Sequence, residues 1–152
     1  MPHLNDKLDF TASALIVHDG RVLLRMHEKF HAWMDIGGHI ELGEDPIEAL
    51  LREVQEESGL EVEILFGEKK IFDSENRSIP TPQFMNRHQA GANHEHVDMI
   101  YVVKAKTLDI KPHQAESATE FKWFSFEDLQ DPQYPIKLHT KYYAEQALTM
   151  VK

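Results

Sequence analysis

The stretch that decides the reading of this chain is Gly37-Gly38-His39-Ile40-Glu41-Leu42-Gly43-Glu44-Asp45-Pro46-Ile47-Glu48-Ala49-Leu50-Leu51-Arg52-Glu53-Val54-Gln55-Glu56-Glu57-Ser58-Gly59-Leu60. Asp45–Ser58 reads as a helix with both ends marked. Asp45 suits the N-cap, Pro46 the first helical position, and Glu48 completes a capping-box spacing. Gly59 suits the left-handed residue that closes a helix. On a wheel, Ile47, Leu50, Leu51 and Val54 share one arc and predict a core-facing stripe. Glu53, Glu56 and Glu57 share the neighbouring arc at i, i+3 and i+4, with Arg52 and Glu48 beyond them. Three carboxylates so spaced are either a solvated acidic face or a shared ligand set. Like charges at i, i+4 destabilise a helix, and this cluster adjoins the apolar stripe rather than opposing it. An oxygen-only ligand set suits a hard cation such as Mg²⁺ or Mn²⁺.

Working outward, Phe10–His18 reads as a strand, and Asp19-Gly20 as a hairpin turn before a second strand, Arg21–Met26. Leu60–Ile71 reads as one strand or two. Arg77–Asn93, with Pro80, Pro82 and Gly91, reads mostly as loop. His96–Lys106 is a clear strand with Val97, Met99, Tyr101 and Val103 on one side. Glu120–Phe124 is a short strand, Phe126–Leu129 a helical turn, and Ile136–Met150 a final helix, with Ile136, Tyr143, Ala147 and Met150 as core cover or a dimer contact. Interleaved strands and helices predict an α/β fold with a mixed sheet. Within 152 residues one domain, 1–152, is expected.

Composition narrows the function. At 41% hydrophobic and 28% charged residues the chain is an ordinary globular one. With no Cys, disulfides, thiolate metal sites and Cys nucleophiles are excluded. Lys plus Arg number 16 against 26 Asp plus Glu, a formal net charge of −10, which disfavours a nucleic-acid duplex as partner. A small polyanion remains possible if cations stand between the carboxylates and its phosphates. No apolar stretch reaches the ~20 residues of a membrane helix. The first ten residues lack the apolar core of a signal peptide, so a cytoplasmic location is expected.

Gly38, five residues, Glu44, seven residues, then Arg52-Glu53-Val54-Gln55-Glu56-Glu57-Ser58-Gly59-Leu60 resembles the Nudix box at every defined position. The chain therefore resembles the Nudix hydrolases, MutT-like, from about Phe10 to Leu129, with Trp33 before the paired Gly and Trp123-Phe124 near the end. Ile36 stands where family members often have Pro. The resemblance implies an α/β/α sandwich with a loop–helix catalytic motif. It implies hydrolysis of the diphosphate linkage in a nucleoside diphosphate joined to a group X, with Mg²⁺ as cofactor (Mn²⁺ as an alternative). Glu56 and Glu57 would be metal ligands, Glu53 a further ligand or the base, and the Gly38 carbonyl part of the shell. Arg52 would hold the glutamates by ion pairing. Glu44 would orient a metal-bound water or brace the loop, unless it only favours the helix N-terminus.

Family members recruit the general base from different loops, so Glu116 and then Glu95 are candidates outside the box. Arg25, His27 and Lys29 follow the hairpin and either contact substrate phosphates or form a solvated strand end. Phe84, Arg87 and His88 either stack on a base or belong to a surface loop. His94, His96 and Asp98 share one strand face, a spacing that invites zinc. Nothing else along the chain supplies a matching ligand pair, so hydrogen-bonded histidines are expected there. The expected partner is a small nucleotide substrate, preferentially a nucleoside triphosphate, and the chain is a monomer or homodimer. A silent nucleotide- or ADP-ribose-sensing module is the alternative, against which every acid of the box is present. An isopentenyl-diphosphate isomerase would need a Cys that this chain lacks.

Overall fold

The computed structural model describes residues 7–67, 70–113 and 119–152. Strand β1 (Leu8–His18) turns through Asp19-Gly20 into β2 (Arg21–His27). The two turn residues take φ of 47° and 71°, the left-handed pair that a tight hairpin of this kind requires. Then come β3 (Ala32–Met34), β4 (Ile36–His39), α1 (Pro46–Ser58), β5 (Val62–Ile64), β6 (Phe84–Gly91) and β7 (His94–Ala105). Strand β8 (Phe121–Phe124) and helices α2 (Phe126–Gln130) and α3 (Leu138–Met150) close the order.

The sheet is mixed. Its path runs β3-β2-β1-β7-β5, with β4 also beside β1, β6 beside β7 and β8 beside β2. Strands β1 and β7 pair in parallel from Leu8↔Glu95 to Val17↔Lys104, and the other pairings are antiparallel. Because strand side chains alternate between faces, β1 and β7 feed two cores. Ala12, Ala14, Ile16, Tyr101 and Val103 pack with Ile47, Leu50 and Val54 of α1. Leu15, Val17, Ile100 and Val102 pack with Ala144 and Ala147 of α3 on the opposite face. The result is an α/β/α sandwich.

Helix α1 begins and ends where its sequence predicts. The Asp45 side chain accepts from Glu48 N, Glu48 reciprocates to Asp45 N, and Gly59 closes the helix at φ 72°. A Cβ at Gly59 would collide with the Lys111 carbonyl, so close approach reinforces the demand for glycine. Four expectations need correction. Phe84–Gly91 is strand β6, not loop; its residues alternate between half-buried and exposed, and the run of Asn, Arg, His and Gln there hides a strand that is carried by pairing with β7. Among the described residues Leu60–Ile71 yields only the short β5, with Ile71 in an isolated bridge to Arg77. Leu51 is exposed, and Ala49 takes its place in the core. Met150 is exposed too, while Thr140, Ala144 and Ala147 form the inner side of α3.

Candidate active site

Strand β4 and the second half of α1 hold the box residues in one place. The α1 side chains nearest β4 come from Glu53 and Glu57. Glu57 accepts a hydrogen bond from Gly37 N at 3.2 Å and pairs with Arg25 Nη2 at 3.2 Å. At Gly38 a Cβ would strike the Glu53 carboxylate. The Glu53 carboxylate thus fills the space a side chain at 38 would take, whereas at Gly37 a Cβ would strike the Ala12 carbonyl and Ser13 backbone of β1, a close approach that only glycine allows.

Arg52 lies at the centre of the carboxylates. The wheel places it on the far side, but its long side chain bends back over them. Nε and Nη2 donate to the two Glu44 oxygens at 2.8 and 2.9 Å. Nη1 donates to Glu53 at 3.0 Å and Glu56 at 3.3 Å, and Nη2 also reaches the His39 carbonyl at 3.0 Å. The hydrogen bonds to Arg52 hold Glu44 below the usual carboxylate range, and those to Glu44 and Glu53 push the Arg52 guanidinium above its own. Glu44 also accepts from Glu41 N at 3.0 Å, so it ties the β4–α1 loop to the helix.

Two clefts flank this cluster. The smaller, about 300 Å³, is lined by Arg25, Glu41, Arg52, Glu53, Glu56 and Glu57. The larger, about 600 Å³, reaches Glu53 and Glu57 from the other side and extends past Asp35 and Asp98. Arg25, His27 and Lys29 all line it, as does His88. The buried Nε of Arg25 has no hydrogen-bond partner among the described residues. Phe84 stacks on Tyr143 with ring centroids 4.8 Å apart and Arg87 holds Glu95 through two bonds of 2.9 Å. Neither is therefore presented for base stacking. Glu95, kept below the usual carboxylate range by Arg87, lines neither cleft. Glu116 lies outside the described residues.

The structure adds a residue that the sequence did not single out. Burial, with the charges of Asp98 and Glu57 nearby, pushes Asp35 up to about 8 against the opposing pull of Arg25. Burial raises Asp98 as well, although Thr11 and Ser13 hydroxyls donate to it at 2.8 and 2.9 Å. Two carboxyls raised above their ordinary range thus line the large cleft. Asp35 carries no motif signal; only its place one residue before β4 hinted at the site.

Residues 7–145 match the sequence profile of the NUDIX domain. A probable DHNTP pyrophosphohydrolase of Lactococcus lactis subsp. cremoris is 28% identical over 132 residues, covering 86% of this chain and 70% of that one. A NUDIX-family hydrolase from Clostridium perfringens superposes with a TM-score of 0.83 at 31% identity, over 98% of this chain and 100% of that one. A MutT NUDIX hydrolase from Burkholderia pseudomallei gives 0.64 at 25% identity, over 95% and 98%. With the profile spanning nearly all of the chain and the box folded as one cluster, this protein belongs to the Nudix hydrolase family.

Proposed function

We propose that the protein is a Mg²⁺-dependent hydrolase that cleaves the diphosphate linkage of a nucleoside diphosphate joined to X, with nucleoside triphosphates preferred. The observation that carries this reading is the gathering of Glu53, Glu56 and Glu57 around one cleft, Glu53 and Glu56 held by Arg52 and Glu57 by Arg25 and Gly37 N, with Gly38 backbone against Glu53. Crowded carboxylates with all-oxygen donors fit a hard cation. The Glu53, Glu56 and Glu57 carboxylates and the Gly38 carbonyl would hold it. Bound there, Mg²⁺ or Mn²⁺ supplies charge neutralisation for the diphosphate and a lowered pKa for the attacking water.

The chain's own residues do the rest. Arg52 orients the carboxylates and, through Glu44, the loop that carries them. Glu44, engaged at both oxygens, serves as the brace and not as a base. Glu53, a ligand in this arrangement, borders both clefts as Glu57 and Arg25 do, and Glu116 is the candidate base outside the box. Arg25, which lines both clefts beside Glu57, offers a phosphate contact. The large cleft takes the X group or the nucleoside.

Turnover of four nucleoside triphosphates, ADP-ribose, a nucleotide sugar, a dinucleoside polyphosphate and DHNTP, with Mg²⁺ and with EDTA, tests the reading. Mg²⁺-dependent release of monophosphate or pyrophosphate is expected, fastest on a triphosphate. Glu57→Gln should lower turnover by orders of magnitude, because it removes charge where the cation and the diphosphate meet. Glu48→Gln, which touches only the helix cap, should retain it. Binding without turnover on every substrate would instead make the chain a sensing module.

A further inference from the structure

The sequence presents His94 and His96 two residues apart on one strand, without a further ligand in view. The fold supplies one. His39, at the end of β4, brings its Nε2 to 3.2 Å from His96 Nε2. One ligand nitrogen from each of His39, His94 and His96 falls within 4.8 Å of the others. The rings meet edge to face, His39 with His96 at 86° and His94 with His96 at 90°. Asp9, opposite His96 in the β1–β7 register, has its Oδ2 3.4 Å from His39 Nε2. Asp98, the third residue of the strand pattern, is not part of the group, since it is engaged by Thr11 and Ser13.

We infer that His39, His94 and His96 form a nitrogen-donor site for a zinc-class divalent cation, separate from the glutamate cluster. The spacing fits: at Zn–N distances of about 2.0–2.1 Å, tetrahedral neighbours stand about 3.4 Å apart. The His39–His96 separation is within a few tenths of an ångström of that edge, and the Asp9 oxygen brings a carboxylate to the same spot. A hydrogen-bonded network explains the arrangement less well, because one His39 nitrogen faces both the His96 nitrogen and the Asp9 oxygen. The donors stand on three paired strands, β1, β4 and β7, and so are held rigidly. Burial, reinforced by His39, His88 and His94, keeps His96 below the usual histidine range, which favours the neutral ring that can ligate.

The two donor sets differ in chemistry and in position. Strand alternation puts His94 and His96 on the same face as Ile100 and Val102, the α3 side. Glu53 and Glu57 come from α1, on the other side. Both sets border the large cleft, so a cation at the histidines faces whatever the cleft binds. Imidazole selects zinc where carboxylate selects magnesium.

Titration calorimetry with Zn²⁺ in millimolar Mg²⁺ tests the site, because Mg²⁺ occupies the oxygen donors and not the imidazoles. One Zn²⁺ per chain should bind, and His39→Ala and His94→Ala should each weaken it at least tenfold. Glu57→Gln should leave the Zn²⁺ affinity unchanged. Melting curves in EDTA check that the variants are folded; exposed His39 is the substitution least able to disturb folding. Co²⁺ bound in place of Zn²⁺ should show the intense visible bands of a tetrahedral site, and His39→Ala should lose them. Absence of Zn²⁺ binding in Mg²⁺, or binding that survives His39→Ala with His94→Ala and disappears in Glu57→Gln, would overturn the inference. None of these readouts depends on hydrolysis, so failure here and failure of the proposed activity are distinguishable.

Discussion

Replacing Arg52 by Ala separates the role of that residue from the general acidity of the helix. Its guanidinium serves three carboxylates and one carbonyl through contacts of 2.8–3.3 Å. Breaking a fully buried pair costs about 3–5 kcal/mol, and exposed pairs are worth about 0.2–1 kcal/mol each. The Arg52 side chain is 23% exposed and its Glu44 and Glu53 partners 17% and 15%, so the cluster lies between these limits. A loss of about 2–3 kcal/mol in EDTA is expected after discounting for solvent screening. For a chain of this size that is a melting decrease of roughly 4–12 °C. Arg52→Lys retains the charge without the two-pronged grip on Glu44 and should recover only part of the loss. Because Glu53 and Glu56 then repel without a counter-charge, millimolar Mg²⁺ should raise the melting temperature of Arg52→Ala more than that of the wild type. The assay is thermal unfolding of both proteins with EDTA and with Mg²⁺. An Arg52→Ala protein that melts with the wild type in EDTA, or gains no more from Mg²⁺, would refute the reasoning.

Three further outcomes follow from the geometry. Leu50→Ala, at a fully buried position between α1 and the sheet, should lower stability in urea unfolding by about 2–5 kcal/mol; a loss well below that range would mean that the helix face repacks. Gly38→Ala should shift the Glu53 carboxylate with little loss of stability and should lower turnover sharply by displacing it, and wild-type kinetics would contradict the close approach. Asp35, raised to about 8 by burial and by Asp98 and Glu57, binds a proton in the metal-free fold that the unfolded chain has already released. Between about pH 4 and 8 its contribution therefore falls as pH rises, by at most about 1.4 kcal/mol per unit. Asp35→Asn should gain on the wild type across that window, and parallel stability curves would count against the shift.

The loop–helix motif was legible because each of its signals is local. The cap of α1, its closing glycine and the carboxylate spacing depend on residues within a turn or two of one another. Strand β6 was not legible: its half-exposed, polar-rich alternation carries no apolar stripe, and it becomes a strand through hairpin pairing with β7, which follows directly after Ala92-Asn93. The wheel misplaced Arg52 because helical geometry fixes the Cβ direction, not where a long side chain ends. Leu51 fails because the buried face of α1 turns toward Ala49 and away from Leu51. Asp35 and the approach of His39 to His96 arise from the pairing of β4 with β1 and of β1 with β7, which no spacing along the chain encodes.

The parallel pairing of β1 with β7 has a consequence for how the chain is made. Thr11 and Asp98, neighbours in that ladder, are separated by 87 residues. At about 5–20 residues per second of synthesis, β1 emerges many seconds before the strand that covers its inner edge. During that interval the hairpin with β2 can form, but the opposite edge of a strand that carries Ala14-Leu15-Ile16-Val17 remains open to other chains. Commitment to the fold waits for β7, and intermediates lacking β7 are the species most in need of a chaperone.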